Sequence, residues 1–208
     1  TQVAKEYLKN VKLISQLGIS IPTASEKDED QSLAKPLGND GAWGVPLRAG
    51  LHLDFIHNFC AGIEFDFFGS FATGKVRRLK TENSQTDFLL LSKGDTTKMY
   101  GPAWRFHLFA QANDIIGGLG ATIGYQFLKN DADRLSPKSN DFSYNIINSA
   151  ESLKEWNAHN LVFAVNYTPC KCLDRSFTPR FNLFYKLPLT GKRAVMASTF
   201  GGQLSVTF

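Results

Sequence analysis

Apolar and polar residues alternate with a period of two along most of this chain. In the stretch 194–208 every second residue forms a mostly apolar set: Phe208, Val206, Leu204, Gly202, Phe200, Ser198 and Met196. The residues between them are polar or small: Thr207, Ser205, Gln203, Gly201, Thr199 and Ala197. A period of two indicates a β-strand whose two faces meet different environments.

The same pattern predicts seven further strands, at about 11–21, 43–57, 62–71, 101–112, 115–127, 160–168 and 177–187. Polar segments rich in Pro, Gly, Asp and Ser separate some of them and predict long loops at about 22–42, 75–99 and 129–157. The other connections are short, with Asn113-Asp114 predicted as a two-residue turn. Residues 1–10 show no clear period and are treated as a separate N-terminal segment before a single domain at 11–208.

Long and short connections alternate along the first strands, so one end of the structure should carry the elaborate loops. No run of 18 apolar residues exists, which excludes a transmembrane helix but not a barrel, whose strands alternate. No helix-period segment interrupts the strands. The sequence therefore predicts an all-β, antiparallel, up-and-down transmembrane β-barrel with eight strands, or more if the chain is the C-terminal part of a longer protein.

The alternation alone does not say which face points inward. A soluble barrel of the lipocalin type places its apolar residues inside, and a membrane barrel places them outside. The apolar set here is dominated by large side chains, with 17 Phe in the chain, whereas the other set is rich in Gly, Ala, Ser and Thr. An eight-stranded barrel has a narrow interior, so the small and charged set fits it better. The lipocalin-like ligand-binding barrel stays open as an alternative.

With the apolar set outward, the charged residues of the strands face the lumen. We expect Asp54, Glu64 and Asp66 to form a salt-bridge network with arginines and lysines, because an unpaired charge in a narrow interior is costly. Such a network could hold the strands together and plug the bore, or form a constriction that selects small solutes. The predicted lumen residues are Lys12, Arg48, His52, Asp54, Glu64, Asp66, Arg105, His107, Arg180 and Lys186.

The strand set from Val11 to Phe208 resembles bacterial outer-membrane β-barrels, in which a last strand closed by Phe is common. In strand count it is similar to the small OmpA/OmpX-type barrels. The segment Trp43–Phe55 with Gly62…Phe71 is also loosely similar to the pore-forming major outer-membrane proteins of chlamydiae and legionellae, which have more strands. The resemblance implies an integral outer-membrane protein of a Gram-negative-type bacterium: a small porin or a structural surface protein, with adhesion or recognition through the long loops as the alternative. It implies no cofactor.

Basic residues follow the third strand and top the final hairpin, at the long-loop end. At that height they would meet lipid phosphates, which Arg and Lys bind well. We therefore expect an anionic lipid such as lipopolysaccharide as a partner, and a solvated basic rim is the alternative. These residues are Lys75, Arg77, Arg78, Lys80, Lys192 and Arg193.

The remaining chemistry in the chain is sparse. Cys60, Cys170 and Cys172 all fall at the short-turn end, and an odd count leaves at least one of them unpaired within the chain. No residue set completes a zinc site. We predict no enzyme, because His52, Asp54, His107 and Ser70 sit in strands without a Gly-x-Ser-x-Gly motif. The net charge of +4 is small, and we predict no nucleic-acid partner.

Overall fold

The described part of the chain forms two antiparallel β-sheets built from eleven strands. The computed structural model describes residues 7–23, 28–30, 40–86, 90–169 and 178–207. Strands are numbered β1 to β11 in chain order. Predicted features at Cys170, Cys172 and Phe208, and much of the predicted loop 22–42, lie outside the described residues.

The larger sheet, here called the wall sheet, contains eight strands in the order β1-β2-β3-β6-β7-β9-β10-β11. All neighbours pair antiparallel, and each of the eight strands predicted from the period of two corresponds to one of them. Their bounds are β1 Leu8–Leu17, β2 Gly44–Phe55, β3 Phe59–Ser70, β6 Ala103–Ile116, β7 Leu119–Asn130, β9 Trp156–Tyr167, β10 Thr178–Lys192 and β11 Thr199–Thr207.

The smaller sheet, here called the cap sheet, lies in two segments predicted as loops. It consists of β4 (Thr73–Leu79), β5 (Ser92–Met99) and β8 (Arg134–Pro137), in that order. Two short helical pieces follow it, α1 (Tyr144–Ile147) and a 3₁₀ turn at Glu151–Leu153. A buried apolar cluster joins these elements, formed by Leu79, Leu135, Ile147, Ala150 and Leu153 with Phe142 packed against it.

Two parts of the sequence prediction need correction. The described residues form eleven strands rather than eight, because the pattern of alternation does not detect the short polar strands in the predicted loops. The wall sheet is also not closed into a barrel, since β1 and β11 remain its two edges and do not pair within the described residues. The all-β antiparallel class is confirmed.

Tight connections at one end of the wall sheet use residues with positive φ. Between β2 and β3 a three-residue 3₁₀ turn contains His57 and Asn58 with φ of 60° and 59°. The β6–β7 hairpin turns at Gly117-Gly118, both with positive φ, rather than at the predicted Asn113-Asp114. Glycine adopts this conformation without a Cβ clash, so it takes the turn, and the Asn-Asp pair falls in a register shift just before it.

The two faces of the wall sheet differ in burial. One register row runs Leu13–Leu51–Ile63–Leu108–Tyr125–Leu161–Leu187 across seven strands, and it marks the apolar face. Large apolar side chains on this face are exposed, up to 84% for Leu13. Every fully buried residue described in the wall sheet lies on the other, polar face: Gly44, Gly62, Glu64, Phe109, Gly120, Gly124, Ala158 and Asn160.

The polar face is the concave face of the curved wall sheet. Asn58, just before β3, and Gln203 on β11 border the same cavity. Five strand spacings separate β3 from β11, which would be about 24 Å in a flat sheet. The sheet therefore bends around its polar face, with its apolar face on the outside.

The cap sheet joins the wall sheet at the end opposite the tight turns. The Trp104 indole donates to Asp131 (Nε1–Oδ2 2.9 Å), and the Gly101 amide donates to Asp133 (2.8 Å). The ammonium of Lys129, 2.6 Å from Asp131, and the Trp104 indole hold the pKa of the Asp131 carboxyl below its usual range. No helix in the described part of the chain has the length and apolar character needed to cross a bilayer.

Candidate functional site: a charged cluster between two cavities

Strand register places all ten predicted lumen residues on the polar face. Rows on this face run Gln16–Arg48–Asp66–Arg105 and Gly50–Glu64–His107 across neighbouring strands. Arg180 and Lys186 lie on the same face of β10. An alternating strand sends every second side chain to one side, so the sequence pattern was sufficient to find this set.

Glu64 is the centre of the charged cluster. It lies mid-strand in β3 and is only 8% exposed. One carboxylate oxygen accepts from Arg48 (Nη2–Oε2 2.6 Å), and the other is 3.0 Å from His52 Nε2. The His107 ring is 3.8 Å from the same carboxylate, on the β6 side. Three basic side chains thus surround one buried acid, which is how a buried charge is usually compensated.

Asp66 continues the cluster toward the cap end. It accepts from Arg105 (Nε–Oδ2 2.6 Å) and lies 3.7 Å from Arg48 Nε. At the other end Lys12 pairs with Asp54 at 2.6 Å. The predicted ion pairs of Glu64 and Asp66 with arginines are thus present, but among the described residues Asp54 pairs with Lys12 apart from the Arg48-centred group, so the predicted link between all three acids is not formed.

Phe109 supports the cluster from the polar face of β6. The His52 ring meets it edge-on with centroids 5.0 Å apart, and the His107 ring stacks on it at 5.3 Å. A Cβ atom at Gly62 would lie 2.6 Å from the Phe109 ring, so glycine there is what lets the ring lie flat on the sheet. This packing fixes the two imidazoles beside Glu64.

Two cavities on the polar face flank the cluster. The cap-end cavity, about 510 Å³, is bordered by Phe68, Leu128 and Trp156 together with Arg48, Asp66 and Arg105. The turn-end cavity, about 960 Å³, is bordered mainly by uncharged polar side chains and includes Arg180. Arg180 and Lys186 form no ion pair with the described residues, so the cluster does not include them.

The cations expected to bind lipid phosphate are either buried or in contact with protein groups. Arg77 and Lys80 are buried in the cap, and Arg77 donates to Thr73 Oγ1 at 2.7 Å. The remaining four also have partners: Lys75 with Asp40, Arg78 with the Leu90 carbonyl, Lys192 with Glu155 and Arg193 with Glu151. These contacts neutralise or occupy the cations that make them. Binding of anionic lipid stays a prediction.

The other candidate chemistry is not assembled. Ser70 pairs with Gly44 at the cap end of β2, whereas His52 pairs with Gly62, eight residues further along that strand. Within the described residues Cys60 is a free thiol, and no three His, Cys, Asp or Glu side chains are grouped to hold a metal.

Sequence reasoning missed the amide side chains that border the turn-end cavity. Asn166 on β9, Asn182 on β10 and Gln203 on β11 occupy one register row. The sequence pattern could have indicated these amides, because each falls at a polar position of its alternating strand. The prediction of lumen residues considered charged side chains alone and therefore omitted them.

Comparison with protein-family models, with curated proteins and with solved structures finds no match. Three features of the molecule bear on function: an exposed apolar face, a polar face with paired charges, and two cavities.

Proposed function

We propose that the wall sheet forms the lipid-facing wall of an outer-membrane β-barrel in a Gram-negative-type bacterium, serving as a small porin or a structural surface protein. The observation that carries this proposal is the distribution of burial. Every buried residue described in the wall sheet is on the polar face, and most of the large exposed apolar side chains are on the apolar face.

Water is a poor solvent for such an outer surface. Soluble monomers rarely expose contiguous apolar patches larger than a few hundred Å². Here exposed apolar residues occur on every strand of the wall sheet, including Leu13, Leu51, Ile123, Phe163 and Leu204. In hydrocarbon the same surface carries no such cost, and the aromatic residues Trp104 and Tyr167 near opposite strand ends fit the interfacial girdles of membrane barrels.

Membrane insertion sets a condition on the edges. A bilayer offers no water to unpaired backbone N–H and C=O groups, so spanning sheets have no free edge within the hydrocarbon. Strands β1 and β11 must therefore each pair with another strand in the membrane. The wall strands, 9 to 15 residues long, have the length of spanning strands, about 9–11 residues each.

The paired charges favour a water-accessible interior. Both signs occur side by side around Glu64 and Asp66, with cavities on either side of the cluster. A cluster of this kind can serve as a constriction or as a structural plug. A lipocalin-like barrel is disfavoured because its apolar residues would face inward, opposite to the arrangement here.

Surface recognition is a second candidate, favoured by the cap sheet. Two of the predicted long loops fold into strands with their own apolar cluster, so they present a defined surface rather than a flexible one. A defined surface at one end of a membrane barrel suits adhesion or recognition.

A pair of single-tryptophan additions tests the proposal. Leu183 and Asn182 are neighbours on β10 that lie on opposite faces. In vesicles containing brominated phosphatidylcholine, we expect the fluorescence added by Leu183→Trp to be quenched and that added by Asn182→Trp to be spared. The unmodified protein should also partition into detergent and change its gel mobility on boiling. Quenching of Asn182→Trp with sparing of Leu183→Trp would overturn the proposed orientation.

A further inference from the structure

The turn-end cavity differs in chemistry from the rest of the polar face. Its volume is about 960 Å³, and uncharged side chains that can both donate and accept hydrogen bonds dominate its border. Among the residues that the structure describes, one cation, Arg180, and one anion, Asp114, border it, and their formal charges cancel. Asp114 is already engaged, because it accepts the Gly118 amide at 2.7 Å.

Three amides form a ladder along one wall of this cavity. Asn166, Asn182 and Gln203 are direct partners across β9, β10 and β11, so their side chains recur at the strand spacing of about 4.7–4.9 Å. Gly120 continues the row on β7, where a Cβ atom would come within 2.5 Å of Asn166 Oδ1. The glycine thus leaves space for the first amide of the ladder.

The ladder has unused hydrogen-bonding capacity. Among the described residues, none is hydrogen-bonded to the side chains of Asn166, Asn182 or Gln203, although each amide carries two N–H donors and an acceptor oxygen. The cap-end cavity contrasts with this, since its charged groups Arg48, Asp66 and Arg105 are paired with one another. Groups in the turn-end cavity are therefore available to a solute.

We propose that the turn-end cavity binds an uncharged, polyhydroxylated solute of the saccharide class. Each hydroxyl of such a solute both donates and accepts, as each amide does, so the ladder can replace the solute's water shell group by group. The described border of the turn-end cavity has no net charge, so it neither attracts nor repels ions strongly. The cluster around Glu64, in contrast, carries strong local charges. The inference rests on the proposed function in taking the polar face as water-filled.

Weak binding is sufficient for this role. Water competes for every group in an open cavity, so we expect a dissociation constant of about a millimolar. A solute that passes through a pore must also leave it, and this requires sites that hold it loosely. The amide ladder would then act as a contact site along the path rather than as a high-affinity pocket.

Titration of the full chain with maltose tests the inference. The protein is kept in lauryldimethylamine oxide micelles, whose headgroups contain no sugar, and binding is followed by saturation-transfer NMR. We expect saturable binding that Asn182→Leu weakens by about three- to tenfold, the effect of losing one or two neutral hydrogen bonds. Asn182→Ser, which retains a donor and an acceptor, should restore part of the affinity.

Gln16→Leu is the matched control, because Gln16 is an amide of the same face that borders the other cavity. We expect it to leave binding unchanged. If Asn182→Leu does not fold, Gln203→Leu on the exposed edge strand replaces it. Absence of saturable binding to the unmodified protein, or equal weakening by Gln16→Leu, would overturn the inference. Detergent partitioning without binding would leave the proposed function intact, whereas binding without partitioning would overturn the proposed function alone.

Discussion

The wall sheet and the cap sheet have opposite polarity. In the cap, Leu79, Leu135 and Ile147 are buried in a shared apolar cluster. In the wall, Leu13 and Leu183 are exposed, whereas the carboxylate of Glu64 is among the buried groups. Both are antiparallel sheets, so the type of strand pairing does not explain the difference.

Under the proposed function, the two sheets meet different surrounding media. Burying apolar area stabilises a structure in water, and the cap does so. The wall sheet gains little of this stabilisation in water, because many of its large apolar side chains remain exposed. Its exposed face becomes favourable once lipid replaces water there, which is the environment that the proposed function assigns to it.

Truncating a leucine in each sheet should have the largest and most unequal effect. Leu79→Ala removes a side chain that is 1% exposed, and we expect it to lower the local unfolding free energy of the cap by about 2–5 kcal/mol. Leu183→Ala should cost far less, because no protein cavity forms at an exposed site. Hydrogen exchange of β5 and β10 amides measures both. Similar losses at the two sites would erase the distinction between the sheets.

Placing a charge on either face of the neighbouring strands β9 and β10 should have the next largest effect. We expect Leu183→Arg or Phe163→Arg to destabilise the protein in lipid by about 2–4 kcal/mol, the cost of an arginine near the bilayer midplane. Asn182→Arg, one residue away on the polar face, should cost much less. Urea unfolding in vesicles compares them. Equal costs, or the reverse order, would mean that the polar face is not the water-filled side.

Removing the buried acid should have an intermediate effect. Glu64→Gln keeps the shape but leaves Arg48 and the two histidines without their central anion, and we expect a loss of about 1–3 kcal/mol. Glu155→Gln, which breaks the exposed pair with Lys192, is the control and should cost far less. Unfolding in micelles by urea measures both. If Glu64→Gln leaves the free energy of unfolding unchanged, the cluster does not hold the strands together.

The sequence predicted the wall better than the cap for a physical reason. Period-two alternation persists in strands with two different faces, so all eight wall strands and the polar-face charges could be found. The cap strands, such as Ser92–Met99, are short and polar, with Thr96 buried instead of an apolar residue, and give no such signal. Edge pairing depends on long-range curvature, so closure could not be read from local pattern. The amide ladder needed register as well as polarity.

The smallest expected effect concerns the joint between the two sheets. Glu151 and Glu155 follow helix α1. At the end of β10, Glu151 contacts Arg193 and Glu155 contacts Lys192. Lys154 and then Arg193 hold the pKa of the Glu151 carboxyl below its ordinary value of 4.5, and Lys192 lowers the pKa of Glu155 in the same way. A lowered acid pKa means that the contact stabilises the joint above pH 4.5, and that this contribution is lost as the pH falls through the lowered value.

We therefore expect amides near 151–155 and 191–193 to lose protection when the pH falls from about 6 to about 3, after correction for intrinsic exchange. Exposed ion pairs are screened by salt, so high salt at neutral pH should produce part of the same loss. The double variant Glu151→Gln/Glu155→Gln should already lack this protection at neutral pH and change little on acidification. A double variant with the unmodified protein's pH response would assign the effect to other groups, and the cap would then be joined to the wall mainly through Trp104 and Asp131.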